Sequence, residues 1–146
     1  MQIKVNDKEF NIDVEYSEKD KFFLLKAKNS NFQMGHVSFQ LKKDKTIWIY
    51  KIVTNKMFYH QGVATALIYA MEYFAYNFNV KTIEGKFYPT NEFAKPFYEK
   101  LGYEIYKEDY DTCLYKDLDY NFIVNNIKPN IRFEDEEKKN INEIIF

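Results

Sequence analysis

Apolar and polar residues alternate through most of the first 54 positions of the chain. Residues 2 to 5 and 10 to 16 ("FNIDVEY") follow the period of two expected of half-buried strands, and "NDK" between them reads as a turn. Three further strands follow: "FFLLKAK" at 22 to 28, "MGHVSFQL" at 34 to 41 and "TIWIYKIVT" at 46 to 54, divided by "NSNF" and the charged turn "KKDK". The pattern predicts an antiparallel meander. From residue 64 the period changes, with Leu67, Ala70, Met71, Phe74 and Phe78 at helical spacings and Thr65, Tyr69, Glu72 and Tyr76 off that stripe. A strand at 80 to 88 ("VKTIEGKFY") comes next. After Pro89, "TNEFAKPFYEKLG" carries the punctuation of a short helix: a Thr or Asn cap, acid in the first turn, Lys in the last and Gly102 just beyond. Pro96 inside it is expected to bend it by removing a donor. Strands at 103 to 107 and 112 to 118 flank the turn "EDYD", and "FEDEEKKNINEII" beyond Pro129 predicts a last helix.

Composition narrows the class. With 46% apolar, 19% aromatic and 29% charged residues, the 146-residue chain is expected to fold as one globular domain. Its net charge of -1 supplies no basic field for nucleic acid or anionic lipid, so an anionic ligand must be held by local geometry. The single cysteine, Cys113, makes no internal disulfide, and two histidines do not build an ordinary zinc site, so no metal is expected. No apolar run approaches the ~20 residues of a membrane span. No N-terminal segment resembles a signal peptide, so a cytoplasmic location is expected.

Only four glycines occur, and one, Gly62, stands where "NKMFYHQGVATAL" passes from loop to helix. A strand ending near Thr54 and a helix starting near Val63 would leave unpaired N–H groups and the positive end of a helix dipole at that mouth. Such a mouth binds phosphate without lysine. Gly62 would then allow close approach of phosphate oxygens or supply an unusual φ; its simpler reading is a strand-to-helix turn. Neither G-x-x-x-x-G-K-[ST] nor G-x-G-x-x-G occurs.

Two segments, "IVTNKMFYHQGVATAL" and "NEFAKPFYEKLGY", resemble the GNAT superfamily of acyl-CoA-dependent N-acetyltransferases, over about residues 22 to 118. Its loop pattern [RQ]-x-x-G-x-[GA] places Tyr59 first, Gly62 at the glycine and Ala64 last; Tyr59 departs from Arg or Gln. Its second pattern, N-x-x-A-x-x-x-Y-x-x-x-G-[FY], is met by Asn91, Ala94, Tyr98, Gly102 and Tyr103. The resemblance implies a mixed α/β (α+β) fold: a mostly antiparallel sheet with a central splay, a long helix after the fourth main strand, and reduced N-terminal helices. "SEKDK" leaves no room for the two helices the family places between its first strands. Residues 1–118 would form the acetyltransferase domain, and 119–146 an extension acting as a cap, an interface of a homodimer or a loose tail.

The same resemblance implies acetyl-CoA as co-substrate and an amine as acceptor. Tyr59, His60, Gln61, Gly62, Val63, Ala64 and Thr65 would cradle its diphosphate. Ile52, Val53 and Thr54 would offer backbone groups to pantetheine, Asn91 would bond its arm, and Tyr98 would face the sulfur. A backbone N–H near Val53 is the candidate to polarise the carbonyl, and Tyr98 the candidate donor to the leaving thiolate. Glu84 is the nearest candidate base; its simpler reading is a solvated strand residue. His36 and His60 are of a residue type that serves as a base at neutral pH, but neither has a named partner. The competing function is a sensor or scaffold that holds acyl-CoA without turnover.

Overall fold

The computed structural model describes residues 1–88 and 92–133. Its strands run β1 (Gln2–Val5), β2 (Lys8–Ser17), β3 (Phe22–Asn29), β4 (Phe32–Leu41), β5 (Thr46–Thr54), β6 (Thr82–Phe87), β7 (Glu104–Glu108), β8 (Asp111–Asp117) and β9 (Ile131–Arg132). They form one nine-stranded sheet in the order β7-β8-β6-β5-β4-β3-β2-β1-β9. Every neighbouring pair is antiparallel except β5 and β6, which are parallel because helix α1 (Val63–Asn77) crosses between them.

Period-two alternation turns Phe10, Ile12, Phe23, Leu25, Val37, Phe39, Ile47, Ile49, Ile83 and Leu114 to one face of the sheet, where all are buried. Helix α1 lies on that face. Phe23 stacks on Phe39 at 5.0 Å and meets Phe74 and Phe78 of the helix segment at 5.7 and 5.4 Å. Each fully buried phenylalanine of this cluster contributes about 2 kcal/mol by leaving water. The opposite face carries half-buried Leu24, Lys26, His36, Trp48, Glu84 and Tyr115, and no helix among the described residues packs on it. The β2–β3 connection is a tight turn, so the two helices the family places there are absent.

Three expectations are corrected. Glu72, off the predicted apolar stripe, is fully buried, because α1 is covered on a second side by β8 and the segment after α2. Pro96 does not bend its helix: α2 runs Ala94–Lys100, which puts proline in the first turn, where its missing N–H has no intrahelical partner to lose. The segment after residue 118 begins with an unforeseen helix, Tyr120–Phe122 (α3), passing into a π turn, Ile123–Ile127. Asp119 caps it, accepting from Phe122 N at 3.0 Å. Ile123 and Ile127 are buried, and Tyr120 and Phe122 pack edge-on against Tyr76 and Tyr69 of α1. This segment therefore lies on the α1 side of the sheet, ending in β9 along the edge of β1. The helix expected over 133 to 145 and the cap expected at Thr90 or Asn91 fall almost wholly outside the described residues.

Candidate active site

The site is built on a break in pairing. Between β4 and β5 the register slips at Ser38/Phe39, so that Ser38 faces Lys51 while Phe39 faces Ile49 and Tyr50 is the extra residue of a bulge. Past that bulge β5 turns away from β6: their ladder ends at Ile49↔Gly85, although β5 continues to Thr54 and β6 to Phe87. A wedge opens there, edged by backbone with no strand opposite.

Antiparallel pairing decides which groups face the wedge. Asn55 N donates to Met34 O at 2.8 Å, and hydrogen-bonded pairs alternate, so Val53 exchanges its bonds with His36 of β4. The position of Val53 O agrees: it lies 2.4 Å from where a Cβ on Gly35 would sit. Ile52 and Thr54 consequently turn their N–H and C=O groups to the open side. The N–H near Val53 expected to polarise a carbonyl is thus narrowed to its two neighbours. Gly35, unremarked in the sequence, is what lets β4 approach β5 this closely.

After Thr54 the chain makes a 3-10 turn (Lys56–Phe58) and enters α1 at Gly62. Gly62 has φ 86°, in the left-handed region, and a Cβ there would meet nothing nearer than the Phe10 ring at 3.6 Å. The protein itself therefore demands glycine for its φ rather than for space. His60 also has positive φ, 62°. No side chain caps α1, and the backbone N–H groups from Gln61 to Thr65 donate to no acceptor among the described residues. This cluster of convergent donors at the positive end of a 15-residue helix fits a diphosphate.

Tyr59 is exposed and meets the His60 ring edge-on, and among the described residues its hydroxyl makes no hydrogen bond that would brace the loop. That task falls to Gln61, whose Nε2 donates to Met57 O at 3.2 Å and whose Oε1 accepts from Lys8 Nζ at 3.1 Å. Lys8, brought from the β1–β2 hairpin, adds the one cation bonded to this loop among the described residues. Neither role was legible in the sequence, because the contact spans 53 positions. His60 meets Phe93, before α2, at 6.2 Å, so the two halves of the site face each other through aromatic edges. Asn91 lies outside the described residues.

Helix α2 ends in a Schellman motif: Tyr103 N donates to Tyr98 O at 3.0 Å and Gly102 N to Glu99 O at 3.0 Å, with Gly102 at φ 89°. The spacing Tyr98-x-x-x-Gly102-Tyr103 is thus explained by chain geometry: the motif brings the first tyrosine of the pair against the second, 5.5 Å between centroids. Tyr98 is 2% exposed, wedged among Phe87, Phe97 and Tyr103. Unlike the Tyr103 hydroxyl, which donates to Glu72, its hydroxyl has no hydrogen-bond partner among the described residues. Burial pushes its pKa well above the ordinary tyrosine value.

Glu84 is half-buried on β6, and alternation turns it to the face opposite Ile83, away from Tyr98. His36 projects from that same face; burial, then Lys51 and Lys26, lower its pKa, which favours the neutral imidazole. Its Nδ1 lies 3.2 Å from Gln33 Nε2. Cys113 is buried and paired across strands with Lys86 and Tyr106, remote from α1's start. Among the described residues no cluster of three or more His, Cys, Asp or Glu could hold a metal, and no helix is long and apolar enough to cross a membrane.

Comparison with solved structures finds the same fold repeatedly. An acetyltransferase from Bacillus subtilis in complex with CoA superposes with TM-score 0.62 at 17% identity, covering 75% of this chain and 99% of that one. An IAA acetyltransferase from Bacillus cereus gives 0.66 at 15%, again over 75% and 99%. The PaiA N-acetyltransferase of Thermoplasma acidophilum, solved with coenzyme A, gives 0.63 at 13%, over 67% of this chain and 62% of that one, less than two thirds of its length. No curated protein sequence matches significantly. The profile of the acetyltransferase (GNAT) family, however, matches residues 3–103, taking in the bulged strand, the Gly62 loop and the Tyr98 motif. The chain belongs to the acetyltransferase (GNAT) family.

Proposed function

We propose that the protein is an N-acetyltransferase moving an acetyl group from acetyl-CoA to a primary amine, on a small molecule or a peptide. Acetyl-CoA supplies an activated acyl carbon, which the amine attacks directly through a tetrahedral intermediate. The residues divide the work. Donors from His60 to Thr65, preceded by Tyr59, hold the diphosphate; Lys8, bonded to Gln61, offsets its charge. The Ile52-Val53-Thr54 edge pairs with pantetheine as a strand would, and Asn91 bonds its arm. An N–H of Ile52 or Thr54 polarises the carbonyl, a role in which one donor typically contributes ~3 kcal/mol. Tyr98 donates a hydrogen bond to the departing thiolate. Glu84, directly or through water, receives the amine proton from the uncovered face of the sheet, which we assign to the acceptor.

The observation that carries this reading is the coincidence of two unpaired donor sets, the β5 edge and the mouth of α1, on consecutive segments. The relatives solved with CoA support the ligand. Near-complete burial of Tyr98 favours a second reading, a sensor that holds acyl-CoA without turnover. Thermal melting with and without acetyl-CoA, then free-thiol release over amino acids, polyamines, aminoglycosides and peptides, separates the two. At 100 times its Kd the ligand stabilises by ~2.7 kcal/mol. Stabilisation with thiol release is the expected result; stabilisation alone supports the sensor, and no stabilisation refutes both.

A further inference from the structure

Behind the phenol of Tyr98 lies a buried charge that the reaction itself does not use. Glu72, in the middle of α1, is 0% exposed. Its Oε1 accepts from Lys116 Nζ of β8 at 2.6 Å and from the Tyr103 hydroxyl at 3.0 Å. The same ammonium donates to Leu101 O, at the C-cap of α2, at 2.7 Å, and stands 5.0 Å from the Tyr103 ring. Glu72 Oε2 has no partner among the described residues. A buried ion pair of this kind contributes little net stability, since desolvating both charges offsets their attraction, and an unpaired carboxylate oxygen adds to the cost. Fold stability alone does not account for burying a carboxylate and an ammonium here, where apolar side chains in place of both would pack as well.

The geometry accounts for it differently. Tyr103 is joined to Tyr98 twice, by the backbone bond Tyr103 N to Tyr98 O and by ring contact. Fixing the Tyr103 hydroxyl to α1 and the Leu101 carbonyl to Lys116 fixes two points of the chain just beyond the end of α2. Helix α2 has only seven residues and packs against β7, so these tethers add to the ring contacts of Tyr98 in fixing its roll. Meanwhile α1 carries the anion-binding mouth at its other end. We propose that Glu72, Lys116 and Tyr103 are positioning residues that lock α2 to α1 and thereby hold the Tyr98 hydroxyl in register with whatever thioester α1 anchors.

The kinetic part of this inference rests on the acetyltransferase reading; the positional part does not. Tyr103→Phe removes one hydroxyl and keeps the ring, and Lys116→Met cuts the tether to Leu101. In each, acetyl-CoA Kd by calorimetry is expected to stay within twofold, while kcat for thiol release falls about tenfold, as small misplacements of a reacting group do. Adding Tyr98→Phe to Tyr103→Phe is expected to lower kcat no further than Tyr98→Phe alone, because the tether then positions nothing. Full additivity, or wild-type kcat in both single variants, overturns the proposal. Carbon-13 labelling of the tyrosine ζ positions gives a readout free of catalysis. The Tyr98 resonance, assigned by its loss in Tyr98→Phe, is expected to shift or broaden in Tyr103→Phe and Lys116→Met. An unmoved Tyr98 signal overturns the proposal even if no amine proves to be a substrate, whereas a moved signal without any turnover in the wild type counts against the enzyme reading alone.

Discussion

Replacing Tyr98 with phenylalanine isolates one oxygen atom. Among the described residues that oxygen has no hydrogen-bond partner, and the ring is held by Phe87, Phe97 and Tyr103. Its loss therefore leaves packing intact, changes stability by less than ~0.5 kcal/mol and moves Tm by less than about 2 °C. Catalysis should respond far more. A free phenol near pKa 10 is already a weaker acid than a thiol near 8.5, which makes complete proton transfer uphill by about 2 kcal/mol, and burial widens the gap. In the proposed reaction Tyr98 would thus act by hydrogen bonding to the developing thiolate, an interaction with a charged group that is typically about 1.5–3 kcal/mol. The expected loss in kcat is about 10- to 150-fold, with acetyl-CoA affinity unchanged. Thiol release with the best amine of the panel measures kcat, and melting with acetyl-CoA reports binding. Wild-type turnover in Tyr98→Phe refutes the assigned role. A loss of acetyl-CoA binding would show instead that the phenol is a ligand contact.

Gly62→Ala should lower stability by about 1–2 kcal/mol, some 3–6 °C in Tm, because alanine must adopt φ 86° although it has room to stand; an unchanged Tm would contradict the strained-turn account. Gly35→Ala acts by crowding instead, its Cβ falling 2.4 Å from Val53 O, and is expected to cost ~1–3 kcal/mol and to weaken acetyl-CoA binding by displacing the β5 edge, as melting with and without ligand checks. Burial raises the pKa of Glu72 above its ordinary value of 4.5, against the opposing pull of Lys116. The folded state then holds a proton that the unfolded state has released, so stability falls as pH rises from about 4.5 through the folded value. Denaturant melts across that range should show this slope in the wild type and its loss in Glu72→Gln; identical slopes would argue that Glu72 is ionised throughout.

Much of the fold was legible because local patterns carried it. Period two marks the strands, the change of period marks α1, and the spacing Tyr98-x-x-x-Gly102-Tyr103 encodes its own helix stop. The loop at Gly62 was legible for a similar reason: a left-handed φ is a property of a few consecutive residues. The burial of Glu72, off the predicted stripe, was not foreseen because helical periodicity identifies one buried face, whereas α1 is covered on two sides. The helix at Tyr120–Phe122 was missed because it is short and its apolar partners, Tyr69 and Tyr76, lie on another element.

What the sequence by itself determined, then, is the order of elements, the left-handed turn into α1 and the two tyrosines joined by a Schellman stop, all consequences of backbone preferences acting over a few residues. Only the tertiary structure decided which β5 groups face the wedge, since a bulge and a register between strands set that orientation. It alone brought Lys8 to Gln61 and buried Glu72 beside Lys116, because these contacts join positions 53 and 44 apart whose proximity no local preference specifies.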